Sequence, residues 1–206
     1  MRYVALVIVA AALMLRAPAA YAIPMTFGGI LSGANEMPVV NSPAAGDAVV
    51  VLDPTAKTIQ IIAAFFGLTT PDTAAHIHCC APLGTNVGVA TTVPAFLGFA
   101  LGVTQGTYLS SIFNLGDPSF YNPAFVMLQG GLVNAEAALI AGIENGQTYF
   151  NIHTTLNPGG EIRSQLFALG GPVPVPGPIV GAGLPGLLTA FVGLLALARR
   201  RRQRTA

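Results

Sequence analysis

Basic side chains are nearly absent from the middle of this chain. Of the nine lysines and arginines among 206 residues, seven (Arg2, Arg16, Arg199, Arg200, Arg201, Arg202 and Arg204) sit at the two ends, which leaves only Lys57 and Arg163 between them. All eight carboxylates lie in that middle, giving two positive against eight negative side chains, a balance of −6. Such a domain lacks the electrostatic footprint of a polyanion binder, so no nucleic-acid partner is expected. Cysteine is as scarce: Cys79 and Cys80 are the only two, and they are neighbours. There is no internal repeat, heptad pattern, phosphate-cradling glycine loop or paired-carboxylate signature. Nor does spacing match a Ser or Cys nucleophile to a histidine, so glycoside or acyl chemistry has no support in the sequence.

The ends carry addresses. Arg2 opens a short positive region, residues 4–15 form an apolar run too short to span a membrane, and Ala20-Tyr21-Ala22 supplies a small-x-small cleavage pattern. Residues 1–22 thus read as a signal peptide cut after Ala22. At the other end, residues 170–178 (GGPVPVPGP) form a Pro/Gly linker whose prolines cannot serve a sheet ladder. Residues 179–198 follow as an uncharged apolar run long enough for one transmembrane helix, and 199–206 form a basic tail that marks the cytoplasmic side. The domain between then lies outside. Proline-rich motif, apolar helix and arginine cluster over residues 173–204 resemble the PEP-CTERM sorting tail of Gram-negative exported proteins, with Pro176-Gly177-Pro178 standing where the family name implies Pro-Glu-Pro. The resemblance implies an exosortase-type processing protease as a partner.

Residues 23–169 are the size of one domain and read as strand after strand, punctuated by Gly, Pro, Asn and Asp. Strands are expected over 25–31, 47–52, 58–66, 74–79, 89–93, 107–114, 147–154 and 161–167. Asp53-Pro54-Thr55-Ala56-Lys57 is a hairpin loop by its proline and its Asp53 carboxylate. One or two short helices look inserted: Asn122-Pro123 is a cap and first turn stopped by Gly130-Gly131, and Asn134 caps a second that ends at Asn145-Gly146. Many short strands without βαβ alternation make this an all-β, antiparallel sandwich or barrel.

The chemistry-bearing residues are few. Ala75-His76-Ile77-His78 sets two imidazoles at i and i+2, on one face of a strand, and Asn151-Ile152-His153-Thr154 repeats the pattern with one. His76, His78 and His153 could hold copper or zinc with a fourth position open, or they could be hydrogen-bonded histidines tying loops together. Cys79 and Cys80 could form a vicinal disulfide, an intermolecular bridge or thiolate ligands. In an exported protein free thiols tend not to persist.

Three motifs in order, LSGANEMPVVNSPAAGDA at 31–48, AAHIH at 74–78 and YFNIHTTLNPGGEIRSQL at 149–166, resemble the CHRD domain, the module named after chordin. The resemblance implies an immunoglobulin-like β-sandwich in an exported protein, and no established activity. It also carries a faint likeness to Cu/Zn superoxide dismutases, which use a His-x-His strand. This chain has no fourth histidine with which to assemble a second metal's ligand set.

Glu36, Asn151, Glu161, Arg163 and Gln165 are the remaining polar positions of those motifs and read as a structural cluster, with Glu36 the expected ion partner of Arg163. Alternation puts Phe150 and Ile152 on the core face with Ile162 and Leu166, which forbids an even loop between the strands, because a one-residue slip flips every side chain. Pro158-Gly159-Gly160 is the simplest odd choice. It pairs His153 with Gln165 and sets Asn151, Glu161 and Arg163 in one polar patch. Joining His76 and His78 to that patch would make a site. Separation of His153 from both by more than about 10 Å would rule it out. The reading carried forward is a non-catalytic interaction or structural module of the cell envelope, periplasmic, cell-surface or extracellular. It would be held at least transiently at the membrane and would bind an extracellular protein or polysaccharide, with loop 81–106 as contact surface. The alternative is a copper or zinc protein or metalloenzyme.

Overall fold

The structure is a computed structural model that describes residues 23–170. The signal peptide, most of the linker, the apolar run 179–198 and the basic tail lie outside the described residues. Among the described residues no helix is long and apolar enough to cross a membrane.

Period-two alternation sets the frame. Strands β1 (Met25–Ser32), β2 (Ala45–Asp53) and β3 (Thr58–Phe66) form an antiparallel meander that buries Phe27 and Leu31, then Ala48, Val50 and Leu52, then Ile59, Ile61, Ala63 and Phe65. Each fully buried aliphatic side chain contributes roughly 1.5–3 kcal/mol relative to exposure. The β2–β3 loop closes as its residues dictate: the Asp53 carboxylate accepts from Thr55 N–H at 3.0 Å and Ala56 N–H at 2.8 Å.

β4 (Asp72–Cys79) follows, then a long loop to β5 (Gly106–Leu109) and β6 (Phe113–Asn114). Helix α1 (Pro123–Leu128), capped by Asn122, and helix α2 (Leu132–Glu144) precede β7 (Thr148–Thr154), β8 (Ile162–Gln165) and β9 (Phe167–Ala168). Hydrogen-bonded order is β4-β7-β8-β1-β2-β3-β5, with β6 on β3 and β9 on β1. Ala75 and Ile77 near one end of that order share one hydrophobic core with Ile59 and Ile61 near the other, so the sheet curls around it. Phe96 and Phe150 stack inside at 5.9 Å.

Several expectations change. The two separate sheets of a sandwich are replaced by one continuous path, because Arg163, Phe167 and Ala168 pair with Ser32, Gly28 and Phe27 of β1 in one register. Residues 89–93 are not a strand: they cross the edge of β4, where Ala90 N–H and Thr91 N–H both donate to the Ile77 carbonyl and Thr91 Oγ1 accepts from Ile77 N–H. Loop 81–106 is in part core, with Phe96 and Phe99 buried. The 107–114 strand divides where Ser110 turns to bond Ile61. The second helix starts before Asn134, since Gly131 at φ 127° serves as its N-cap, and it runs 13 residues rather than a turn or two.

Gly142 in α2 has a packing reason. A Cβ there would lie 2.5 Å from Cys79 Sγ and 3.0 Å from Cys80 Sγ. Alanine would gain about 1 kcal/mol of helix propensity but overpack at a cost of roughly 1–3 kcal/mol. Gly142→Ala is expected to lower the melting temperature by a few degrees. A rise in a calorimetric scan would mean that the helix yields freely at this contact.

Candidate metal centre

Register assembles the site. β4 and β7 pair antiparallel, with Ala74 opposite His153, His76 opposite Asn151 and His78 opposite Tyr149. Paired residues point to one side of a sheet, so His76, His78, Tyr149, Asn151 and His153 share a face, and Ala75, Ile77, Phe150 and Ile152 fill the core behind it. Pairing of Asn151 with Arg163 and of Tyr149 with Gln165 extends this face onto β8. Every residue of β7 is buried, because residues 36–37, 86–87 and 158–160 cover the polar side.

The three histidines converge. One ring nitrogen of each lies within 4.8 Å of the others, and the residues are 5%, 7% and 8% exposed for His76, His78 and His153. Hydrogen bonds fix which nitrogens are offered. His78 Nδ1 donates to the Val87 carbonyl at 2.8 Å and His153 Nδ1 to the Pro158 carbonyl at 3.0 Å, so each keeps its lone pair on Nε2. His76 Nδ1 stands 3.2 Å from His153 Nε2, and the Pro94 carbonyl accepts from the Ala75 N–H at 3.1 Å. A proton on His76 Nδ1 can satisfy His153, but His78 Nε2 stays buried with no partner. A cation shared by His76 Nδ1, His78 Nε2 and His153 Nε2 satisfies all three and places the His76 proton on Nε2. Backbone carbonyls on the far nitrogens are the usual outer support of metal-binding histidines.

Electrostatics keeps the imidazoles neutral. Burial, then the neighbouring His153 and His78, holds His76 down at about 3. Burial holds His78 down at about 4, with His153 and Arg163 adding to it against the Val87 hydrogen bond. Burial also lowers His153. Neutral imidazole is the ligating form.

Arg163 lies on the same face but anchors loops. Its Nε donates to the Asn35 carbonyl at 2.6 Å, its Nη1 to Asn86 Oδ1 at 2.9 Å, and its guanidinium stacks 4.4 Å over Tyr149. The expected Glu36–Arg163 ion pair is not formed, since the turn at residues 33–35 presents the Asn35 carbonyl to the guanidinium instead. Glu36 turns to Asn151, whose Nδ2 donates to it at 3.5 Å. Burial pushes Glu36 up to about 7 against the opposing charge of Arg163. Glu36 Oε1 and Asn151 Oδ1 both lack partners, and both face Gly160, where a Cβ would lie 2.7 Å and 2.5 Å from them. A proton on Glu36 answers both orphans. Folded Glu36 therefore binds its proton more tightly than the unfolded chain does, and the stability it contributes declines as pH rises from about 4.5 to about 7. Glu36→Gln should gain on the wild type across that window and hold its lead above it. Urea melts at matched pH showing a constant difference would contradict a protonated Glu36.

Glu161 does not join this patch. Its loop is longer than three residues: the last β7–β8 pair is Ile152 with Ile162, so the odd parity stands, but Gln165 meets Tyr149 and His153 meets Ala74. The Glu161 carboxylate instead accepts from Ser42, Thr69 and Thr154 in a separate buried knot. Gln165 reaches out to the Gly146 carbonyl at 2.6 Å. The sulfurs of Cys79 and Cys80 are in contact with one another and face the Ala138 carbonyl, away from His78. Tyr149, stacked on His78 at 4.6 Å, is a site residue that the motifs did not single out. Its alternation with Asn151 and His153 was the available signal.

The CHRD domain family matches residues 27–166, more than half of the chain, with all three histidines inside the match. No curated protein and no solved structure matches it. This chain belongs to the CHRD domain family.

Proposed function

We propose that this is an exported, non-catalytic module of the CHRD family that binds a transition metal ion, copper or zinc, through His76, His78 and His153. The observation that carries it is His78 Nε2, buried without a partner beside the rings of His76 and His153, while the other nitrogens of His78 and His153 donate to backbone carbonyls. Family membership supports an extracellular or secreted setting. The apolar run 4–15 with its Ala20-Tyr21-Ala22 pattern, the apolar run 179–198 and the arginine cluster that follows it support transient anchoring at the membrane and processing by an exosortase-type protease. A bound metal would pin the loops through Val87 and Pro158, and so shape the surface offered to an extracellular protein or polysaccharide. Binding rather than catalysis is favoured because among the described residues no carboxylate joins the three imidazoles: Glu36 turns to Asn151 and Glu161 sits in its separate knot with Ser42, Thr69 and Thr154.

Full-length protein recovered from the exported fraction and offered copper and zinc should retain about one equivalent of metal after dialysis. Retention of only trace metal at every concentration offered would leave the histidines a structural role alone. Topology has its own check: a reporter fused after Phe167 should be active only outside the cytoplasm.

The same module holds Cys79 and Cys80 as a vicinal disulfide in the exported protein, supported by the contact of their sulfurs against α2. Intact-mass measurement without reductant should find a monomer about 2 Da lighter than the dithiol form. A linked dimer or alkylatable thiols would remove the bridge from this picture.

A further inference from the structure

Resting on that metal reading, we infer that the three-histidine site selects copper in its monovalent state over divalent ions. The ligand set is three neutral imidazoles. Among the described residues no carboxylate or thiolate joins the group of metal-ligating side chains that His76, His78 and His153 form. The two sulfurs are turned to the other side of β4, against the Ala138 carbonyl and the Gly142 backbone, and so offer the site nothing.

Charge decides the rest. The site is nearly closed to water, and the desolvation cost of an ion grows with the square of its charge, so burying a dication costs about four times as much as burying a monocation. Divalent ions usually offset that cost with anionic ligands, which are missing. Arg163 is the charged group whose field reaches His78, and the charge of Glu36, which turns to Asn151 on the same face, is suppressed by burial and countered by Arg163. Neither leaves net negative charge for a dication. The second cation of the domain, Lys57, is paired with Glu136 at 2.6 Å and does not face the histidines.

Coordination number points the same way. Zinc in a closed protein site takes four ligands, and the three imidazoles provide three nitrogens. Monovalent copper has no ligand-field demand and is satisfied by three nitrogen donors, so it needs neither a fourth side chain nor a trapped water. Nitrogen separations from 3.2 Å up to 4.8 Å bracket those of three donors about 2 Å from a shared ion.

The test is a pair of chelator competitions on the full-length protein under argon, one with a colorimetric copper(I) chelator and one with a zinc(II) chelator. Monovalent copper should bind at one equivalent and at least about 100-fold more tightly than zinc, as the charge argument requires. The Cys79→Ser, Cys80→Ser double variant should keep that copper, whereas His78→Gln with an unchanged circular dichroism spectrum should lose it. Zinc bound as tightly as copper(I), or copper lost with the cysteines rather than with His78, overturns the selectivity. Stoichiometric zinc with no copper(I) sinks this inference and leaves the metal reading standing. Failure of both ions to bind sinks the reading beneath it.

Discussion

His153→Ala should abolish stoichiometric metal retention, with affinity falling by more than about 100-fold. That bound comes from comparison, since changes to groups that only support a metal ligand typically cost 10–100-fold, and His153 supplies one of three nitrogens directly. Its position makes the loss unrecoverable. Asn151 and Tyr149, the other residues on this face of β7, cannot replace it: Asn151 is committed to Glu36, and the Tyr149 hydroxyl lies against the Val87 backbone at 3.3 Å. Folding should survive, because the residue surrenders its hydrogen bond to Pro158 and its contact with His76, each worth about 1 kcal/mol, and no core packing. Tyr149→Phe is the matched control. It keeps the ring stacked on His78 and loses only the hydroxyl contacts to Val87, so its affinity should fall by at most about 10-fold. Equilibrium dialysis of the two variants side by side, each first shown to melt cooperatively, separates the roles. Equal losses would mean that β7 as a whole, not His153, governs retention.

What the sequence disclosed and what it withheld divide along one physical line. Side-chain alternation is a local property, and it placed β1 and the β2–β3 hairpin, put His76 and His78 on one face, and required an odd connection after β7. How far a strand pair runs is not local. The β7–β8 connection is long because Thr154 Oγ1 accepts from Asn157 N–H and Asn157 O accepts from Gly160 N–H, contacts that compete with a tight turn and that alternation does not register. The four-residue error in register followed, and with it the wrong company for Glu161. Its partners Ser42 and Thr69 lie 119 and 92 residues away in loops of their own. Loop 81–106 was misjudged for the converse reason. Its prolines and glycines mark it as irregular, but nothing local says that Phe96 and Phe99 turn inward. The histidine cluster survived the register error because His153 reaches His76 through the pairing of β7 with β4, on which the length of the β7–β8 connection has no bearing.

Glu161→Ala should cost roughly 3–5 kcal/mol, a large share of the 5–15 kcal/mol that holds an ordinary domain together. The carboxylate is fully buried and accepts from Ser42 Oγ at 2.6 Å, Thr69 N–H and Thr69 Oγ1 at 2.8 Å each, and Thr154 Oγ1 at 2.7 Å. Removing it strands four donors that tie three otherwise separate loops. Glu161→Gln, which keeps the shape, tests the charge apart from the knot. Burial alone would raise the Glu161 pKa, but the hydrogen bonds from Ser42, Thr69 and Thr154 outweigh it and leave it below the ordinary carboxylate value. The unfolded chain therefore binds this proton more readily than the folded one. Stability from Glu161 is complete above about pH 4.5, the unfolded value, and is lost as pH falls through the lower folded value. His76 and His78, held neutral in the fold, add a slope of the same sign between about 6.5 and their lowered values. The informative quantity is hence the difference between wild type and Glu161→Gln. Denaturant melts should show that difference constant from pH 5 to 8 and shrinking below about pH 4.5. A difference that instead widens on acidification would mean the carboxyl is protonated in the fold and that the loops are held by something other than an ionised Glu161.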